Sequence, residues 1–365
     1  MKKISCLLAI IIVIIFANLA HSTAMITYTF DDGGINTLNA FNILNKYGQY
    51  GVVGPFIKSI LDLPNSHLSY EQLRNFQKYG WEIASHSLSH SFLTKIPLRY
   101  QDAILSNWQP YGAYNIYYTK YNYTEMDYVL QNGDNFNLVS KGGNRLIPAN
   151  SFDQLKINAN NKLGSYFFDQ SKNIVYLRTK DGDDPSNYII QAPSAEREFE
   201  QSKREFEAQG LNVTTLLVPF SNWNSELRDL SKNFFSAVAS TKASYINSIP
   251  PEDCHWLTRR WPSNEILFET LQSWVQDAID KNYWLILGFH NIADGYFPKE
   301  KFDQLAKWID DCENQGKIKV VTIREGITGP KNTVVPIPSS LILMLSGLTI
   351  LRNRYYRKLR PNRYE

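Results

Sequence analysis

The sequence predicts an α/β fold of six to eight strand–helix units, a number that suggests a barrel, interrupted by a β-rich insertion. Short apolar runs alternate with stretches of helical spacing from Met25 onward, the pattern of βα units around a parallel sheet. That rhythm breaks near Trp108 and resumes near Ser194. With 365 residues, 43% hydrophobic and 13% aromatic, the chain can bury a core of barrel size, which excludes disorder for most of it.

Met25 to Phe30 reads as the first strand, Asn36 to Tyr47 as the helix after it, and Gly51 to Ile57 as the second strand. Ser69 with Gln72 makes a capping box for a helix that Gly80 ends, and Trp81 to Ser85 forms the third strand. A helix is expected around Ile96 to Ser106. From Trp108 to Tyr188 the chain turns rich in Asn, Gly and Tyr. Alternating runs such as Ile174-Val175-Tyr176-Leu177 lie there between turn signals such as Asn132-Gly133 and Asp181-Gly182. A structureless loop of that length would be unusual, so residues 108–193 are expected to form a β-rich subdomain, with the barrel in residues 25–107 and 194–325. Ser194 caps the next helix, Gly210 follows its end, and Val213 to Val218 is a strand. Phe235 to Ala239 and Trp256 to Leu257 are weaker strands. Leu267, Leu271, Trp274, Ala278 and Ile279 keep helical spacing before the apolar strand Tyr283 to Phe289. A helix over Lys299 to Cys312 and a strand over Ile318 to Ile323 complete the body.

Both ends point out of the cytoplasm. Lys2-Lys3, an apolar run from Ile4 to Leu19 and the small residues Ser22-Thr23-Ala24 form a signal-peptide pattern, expected to span residues 1–24. Val334 to Leu351 is long enough to cross a bilayer and is followed by six basic residues, so residues 334–365 are expected to act as a C-terminal anchor or sorting segment. Without the two lysines of the leader and the net five positive charges of the tail, the formal charge of +3 becomes about −4 for the body. Nucleic-acid binding therefore has no support. In the mature chain only Cys254 and Cys312 remain, either as a pair or as two separate thiols.

Asp31 and Asp32 stand where the first strand ends and Gly33-Gly34 begins a turn, so both carboxylates can reach the C-terminal mouth of the sheet, where α/β sites are built. Alone, this run reads equally as a turn. His86 and His90 follow the third strand four residues apart, and two imidazoles with a carboxylate are a common ligand set for catalytic zinc. Alone, that pair reads as surface histidines. His290, one of six histidines, closes the buried-strand run Leu285 to Phe289. It is the order of the three groups, each at a strand end, that points to a catalytic metal site.

Thr29-Phe30-Asp31-Asp32-Gly33, His86-Ser87-Leu88-Ser89-His90, Leu217-Val218-Pro219-Phe220 and Leu287-Gly288-Phe289-His290 resemble successive motifs of the polysaccharide deacetylase family, the NodB-homology group. The resemblance implies a distorted (β/α) barrel. It also implies Asp32, His86 and His90 as ligands of a divalent metal, Zn²⁺ first with Co²⁺, Ni²⁺ or Mn²⁺ as alternatives, Asp31 as general base and His290 as general acid. The backbone N–H of Phe220 would then serve the oxyanion. Two positions depart from the family pattern. Leu217 stands where many members carry an arginine that keeps the base ionised, and Phe220 replaces the usual tyrosine. Arg259 and Arg260, next to Trp261 in the region of the family's tryptophan motif, are candidates to replace that arginine. Val335-Pro336-Ile337-Pro338, with the apolar stretch and basic tail, resembles a PEP-CTERM sorting signal, which implies a membrane sorting peptidase as a partner.

Trp223 and Trp261 are the aromatic residues expected at a sugar site, and Tyr111, Tyr114, Tyr117 and Tyr118 form either a glycan platform or the core of the insertion. The expected activity is hydrolysis of N-acetyl groups on an extracellular or envelope amino-sugar polysaccharide. The alternatives are a deacylase or amidase on another acyl group or a non-sugar amide, and a non-catalytic glycan-binding envelope protein.

Overall fold

The computed structural model describes residues 23–132, 144–242 and 244–329. All of the expected leader except Thr23 and Ala24, and the whole C-terminal segment 334–365, lie outside the described residues, and so does Gly133 of the Asn-Gly turn. Among the described residues no helix is long and apolar enough to cross a membrane.

The principal sheet has eight parallel strands: β1 (Ala24–Asp32), β2 (Val52–Pro55), β3 (Glu82–Ser85), β4 (Val213–Leu217), β5 (Ala237–Ser240), β6 (Leu257–Thr258), β7 (Trp284–Phe289) and β8 (Ile318–Val320). Seven follow one another in the order β6-β5-β4-β3-β2-β1-β7, while β8 pairs with the first residues of β1, beginning at Ala24 opposite Ile318. The ends of that path meet. Arg260, just past β6, donates its N–H to Ile286 O at 2.8 Å and accepts from Gly288 N at 2.9 Å, so the sheet closes into the distorted (β/α) barrel that the sequence predicts. Below that bridge the seam is filled by the buried side chain of Asn247. Its amide donates to Thr258 O at 2.9 Å and Trp284 O at 3.1 Å and accepts from Thr258 N at 2.8 Å.

The period-2 alternation of the strands gives the barrel two cores. Met25, Val52, Ala84, Leu217, Ala237, Ala239, Leu257, Trp284 and Ile286 cluster together inside it. Ile26, Tyr28, Phe30, Val53, Ile83, Leu216, Val238, Leu285 and Leu287 cluster with the helices outside. Of these inner residues only Trp284 is aromatic. Its ring lies where a side chain at Gly326 would stand, and its Nε1 donates to Thr27 Oγ1 at 2.9 Å. The outer layer includes α1 (Thr37–Lys46), α2 (Tyr70–Lys78), α3 (Ala195–Ala208), α4 (Phe268–Lys281) and α5 (Lys299–Asn314). The capping box of α2 forms as its residues dictate: Ser69 accepts from Gln72 N, and the Gln72 side chain accepts from Ser69 N.

The helix expected around Ile96 to Ser106 is not there. Short 3₁₀ turns occupy Leu93–Lys95 and Gln101–Ala103, followed by a two-residue strand, Ile104–Leu105. The start of α3 takes the carbonyls that a helix would need: Ala195 N bonds Pro97 O at 2.8 Å and Glu196 N bonds Leu98 O at 3.0 Å. Between β3 and β4 the chain builds a five-stranded and a three-stranded sheet, together with a helix, Phe152–Asn160, that the sequence did not announce. Tyr111 meets Tyr118, Phe152 and Tyr176 edge-on at 5.2–6.0 Å, so these rings serve the segment's own packing. Cys254 and Cys312 are separate thiols.

Gly288 lies on the inner face of β7, where a Cβ would stand 2.7 Å from the Trp261 ring. Gly288→Ala is expected to lower unfolding stability by about 1–3 kcal/mol through this overpacking, read as a lower urea midpoint; an unchanged midpoint would show that Trp261 does not depend on the gap.

Candidate metal and catalytic site

Asp31, His86, Arg259 and His290 continue the inward-facing rows at the C-terminal mouth of the barrel. Asp32 joins them by a break in regular backbone. Its φ is +67°, and Gly33 follows at +70°. A Cβ on Gly33 would also meet Pro55 Cβ at 2.4 Å, so glycine is required there on two counts. Ser87, His90, Phe220 and Ser221 are left-handed as well, at φ +69°, +67°, +55° and +52°. Such non-glycine residues cost on the order of 1–3 kcal/mol each and persist only where neighbours over-determine them.

Those neighbours are visible around the His86–His90 turn. Ser87 N donates to Ser85 Oγ at 3.1 Å, His90 N to Ser87 Oγ at 3.0 Å, and Lys58 N to Leu88 O at 2.9 Å. Leu88 N and Ser89 N both donate to Glu198 Oε2 at 2.9 Å. Glu198 is fully buried on α3, and burial pushes its carboxyl up to about 7 against the opposing bonds from Ser89. Sequence reasoning missed it. The signal was an acid beside the apolar stripe Ala195, Phe199 and Phe206, a position that burial makes costly unless it is fully bonded.

Three ligand atoms converge. Asp32 Oδ1 lies 3.3 Å from His86 Nε2 and 3.2 Å from His90 Nε2, and the two imidazole nitrogens are 3.1 Å apart. Atoms bound to one tetrahedral zinc stand roughly 3.3 Å from each other. His86 Nδ1 lies 2.8 Å from Leu217 O, so the ring donates there and turns the lone pair of Nε2 inward. Asp32 Oδ1 is buried with no hydrogen-bond donor aimed at it. Acceptors packed this closely repel unless a cation lies among them, so the residues present fit a metal ion. Burial pushes the Asp32 carboxyl up, but the adjacent imidazoles outweigh it and hold the group far below the usual carboxylate range. Burial likewise pulls His86 down, and Asp31 and Asp32 more than reverse this, so its pKa is raised.

Asp31 sits behind the ligands. Its Oδ1 accepts from Arg259 Nη1 at 2.6 Å, while its Oδ2 faces His86 Nε2 at 3.8 Å. Both partners are buried, Arg259 completely. Of the two arginines proposed to replace the one absent at Leu217, Arg259 therefore occupies the place; Arg260 points outward and lays its guanidinium 3.6 Å from the centre of the Trp274 ring. Leu217 fills the inner core against Gly54, where a Cβ would stand 2.8 Å from its Cδ1.

His290 reaches the mouth, half exposed, 4.0 Å from Asp32 Oδ2 and 5.1 Å ring to ring from Trp261. Trp261 is fixed by a bond from Nε1 to Thr241 Oγ1 at 3.2 Å and covers the Arg259 guanidinium at 4.7 Å. Phe220, half exposed, stacks on Phe92 at 3.6 Å and lies 4.4 Å from the His90 ring, forming an apolar rim. Trp223 is elsewhere: its ring neighbours Phe199 at 6.2 Å and its Nε1 donates to His255 O at 3.1 Å, so it packs in the outer layer and not at the mouth.

Residues 19–111 match the polysaccharide deacetylase family model, a span that holds Asp31, Asp32, His86 and His90. No curated protein sequence matches the chain. Among solved structures, it is similar to the Xyl-CE4 domain of a multidomain xylanase from the hindgut metagenome of Trinervitermes trinervoides, at 13% identity over 83% of this chain and 89% of that one, with a TM-score of 0.39. It is also similar to a family 4 carbohydrate esterase from Streptomyces lividans, at 10% identity, 83% and 95% coverage and a TM-score of 0.38, and to the peptidoglycan deacetylase PdaC from Bacillus subtilis, at 14%, 83% and 89%, with 0.36. Residues 19–111 are thus similar to the polysaccharide deacetylase family, and it is this part of the chain that supplies Asp31, Asp32, His86 and His90 to the site.

Proposed function

We propose that this protein removes N-acetyl groups from an extracellular or envelope amino-sugar polysaccharide, using one divalent metal held by Asp32, His86 and His90. The convergence of three acceptor atoms within 3.1–3.3 Å, directly beside a carboxylate paired with a buried arginine, carries this reading. When bound, the ion, Zn²⁺ or else Co²⁺, Ni²⁺ or Mn²⁺, would polarise the amide carbonyl and make a water more acidic. Asp31 takes the proton of the attacking water through Oδ2, since Oδ1 is committed to Arg259. The Phe220 N–H is the protein donor for the tetrahedral oxyanion. His290, steadied by Trp261, protonates the departing amine. Trp261 and the Phe92–Phe220 shelf offer apolar faces to a sugar ring.

The export reading follows from residues 1–24 and 334–365, with a sorting peptidase or membrane anchorage at the C-terminus. A non-catalytic glycan binder drew its support from the missing arginine at position 217; the Arg259–Asp31 pair removes that support. A deacylase acting on another acyl group or a non-sugar amide shares the same groups, and product identity separates it. Acetate release from acetylated amino-sugar polymers, compared with turnover of simple amides, is the deciding measurement, and turnover of the amides alone would refute the sugar reading.

Chelation should abolish acetate release and readdition of metal should restore it, while Asp32→Asn should lose metal affinity in calorimetric titration. Full activity in rigorously metal-free protein would refute the metal.

Arg259→Ala leaves a buried carboxylate unpaired and is expected to cost about 3–5 kcal/mol of stability along with activity. Arg260→Ala loses an outward cation–π contact and should cost about 1 kcal/mol or less while retaining turnover. Denaturant melts and acetate release of both variants check the assignment, which equal losses would contradict.

A further inference from the structure

We infer that the segment between β3 and β4 helps build the metal site: Asp127 from that segment and Glu198 from α3 are positioning residues that hold the His86–His90 turn through Ser89 and Ser91. The inference rests on the reading of His86 and His90 as metal ligands.

The two serines flank His90, whose left-handed backbone keeps the turn from being held by regular pairing. Ser89 Oγ lies 2.9 Å from Glu198 Oε1 and 2.8 Å from Ser91 Oγ, and the Ser91 hydroxyl donates to Asp127 Oδ2. Ser89, Ser91 and Glu198 are 5%, 1% and 0% exposed, so water cannot take over the bonds among these three. The same stretch is tied alongside by Thr124 N to Lys95 O at 3.2 Å and by the Lys95–Glu125 ion pair at 3.5 Å. Tyr128 and Leu130 of the segment belong to the barrel's outer core. A chain portion that is otherwise a separate pair of small sheets thus reaches the ligand turn through one buried row of oxygens.

Ser89 Oγ donates to Glu198 Oε1 and Ser91 Oγ to Asp127 Oδ2, while Glu198 Oε2 accepts the N–H groups of Leu88 and Ser89. Glutamine at 198 keeps a carbonyl for the two amides and turns its NH₂ to Ser89, whose hydroxyl is then free to donate to Ser91. Alanine keeps neither bond.

The test is Zn²⁺ affinity by calorimetry and the visible spectrum of bound Co²⁺, measured on metal-free full-length chain and on Asp127→Ala, Ser91→Ala, Glu198→Ala and Glu198→Gln. The alanine variants should bind Zn²⁺ about 10–100-fold more weakly, with an altered Co²⁺ spectrum and a loss in kcat exceeding any change in KM. Glu198→Gln should stay within about twofold of the parent, as its carbonyl still accepts from the Leu88 and Ser89 amides. If Glu198→Ala does not fold, Ser91→Ala and Asp127→Ala carry the comparison. Folded alanine variants with parental affinity and spectrum overturn the positioning role, and a glutamine variant as impaired as alanine overturns the part given to the Leu88 and Ser89 amide bonds. Absence of Zn²⁺ binding by the parent chain instead refutes the metal reading, and the inference with it.

Discussion

Thr29 and Asp31, two residues apart on β1, both look into the barrel, and the same parity carries Ala84 to His86, Leu257 to Arg259 and Ile286 to His290. Because strand side chains alternate with period 2, the inward rows of these four strands end in groups with chemistry, while outward rows end in core residues such as Phe30 and Phe289. A one-residue slip of β6 that brought Thr258 to the place of Arg259 would leave Asp31 facing no cation. Register is therefore the constraint on which the site rests, and the bridge from Arg260 to Leu287 fixes it where β6 is only two residues long.

The departure at Leu217 makes sense in that frame. Position 217 is inward and deep, packed over Gly54, and its contribution to the site is the backbone carbonyl that orients His86. The positive charge enters from the neighbouring part of the wall, on the segment that seals the barrel. Gly288 leaves the space for Trp261, and Trp261 covers both Arg259 and His290. Seam, Arg259 and His290 are thus one packed unit.

Strands were legible because each barrel strand carries an apolar run on both faces, and the strand-end positions of Asp31, Asp32, His86, His90 and His290 followed from that. What stayed hidden depends on long-range partners. Pro97 and Leu98 look compatible with a helix until Ala195 and Glu196 take their carbonyls. Glu198 and Asp127 read as ordinary surface acids, since nothing local shows that they meet Ser89 and Ser91. Trp223 was placed by its nearness in sequence to Phe220, but two left-handed residues, Phe220 and Ser221, turn the chain away from the mouth before it. Arg259 and Arg260 could not be separated without knowing which one faces inward.

In the proposed reaction, two adjacent aspartates receive different roles from their surroundings alone. Asp31 stays in the strand, buried, with one oxygen bound to a guanidinium that balances its charge. Asp32, the last residue of the strand, is turned by its positive φ toward two imidazoles that are neutral when they act as ligands, so its charge has no fixed partner. With Arg259 offsetting Asp31, the centre carries one net negative charge and three converging lone pairs, which a divalent cation satisfies better than a proton. Were the arginine absent, both carboxylates would compete for that cation and neither would remain as a base. The buried guanidinium is what keeps the base and the ligand distinct.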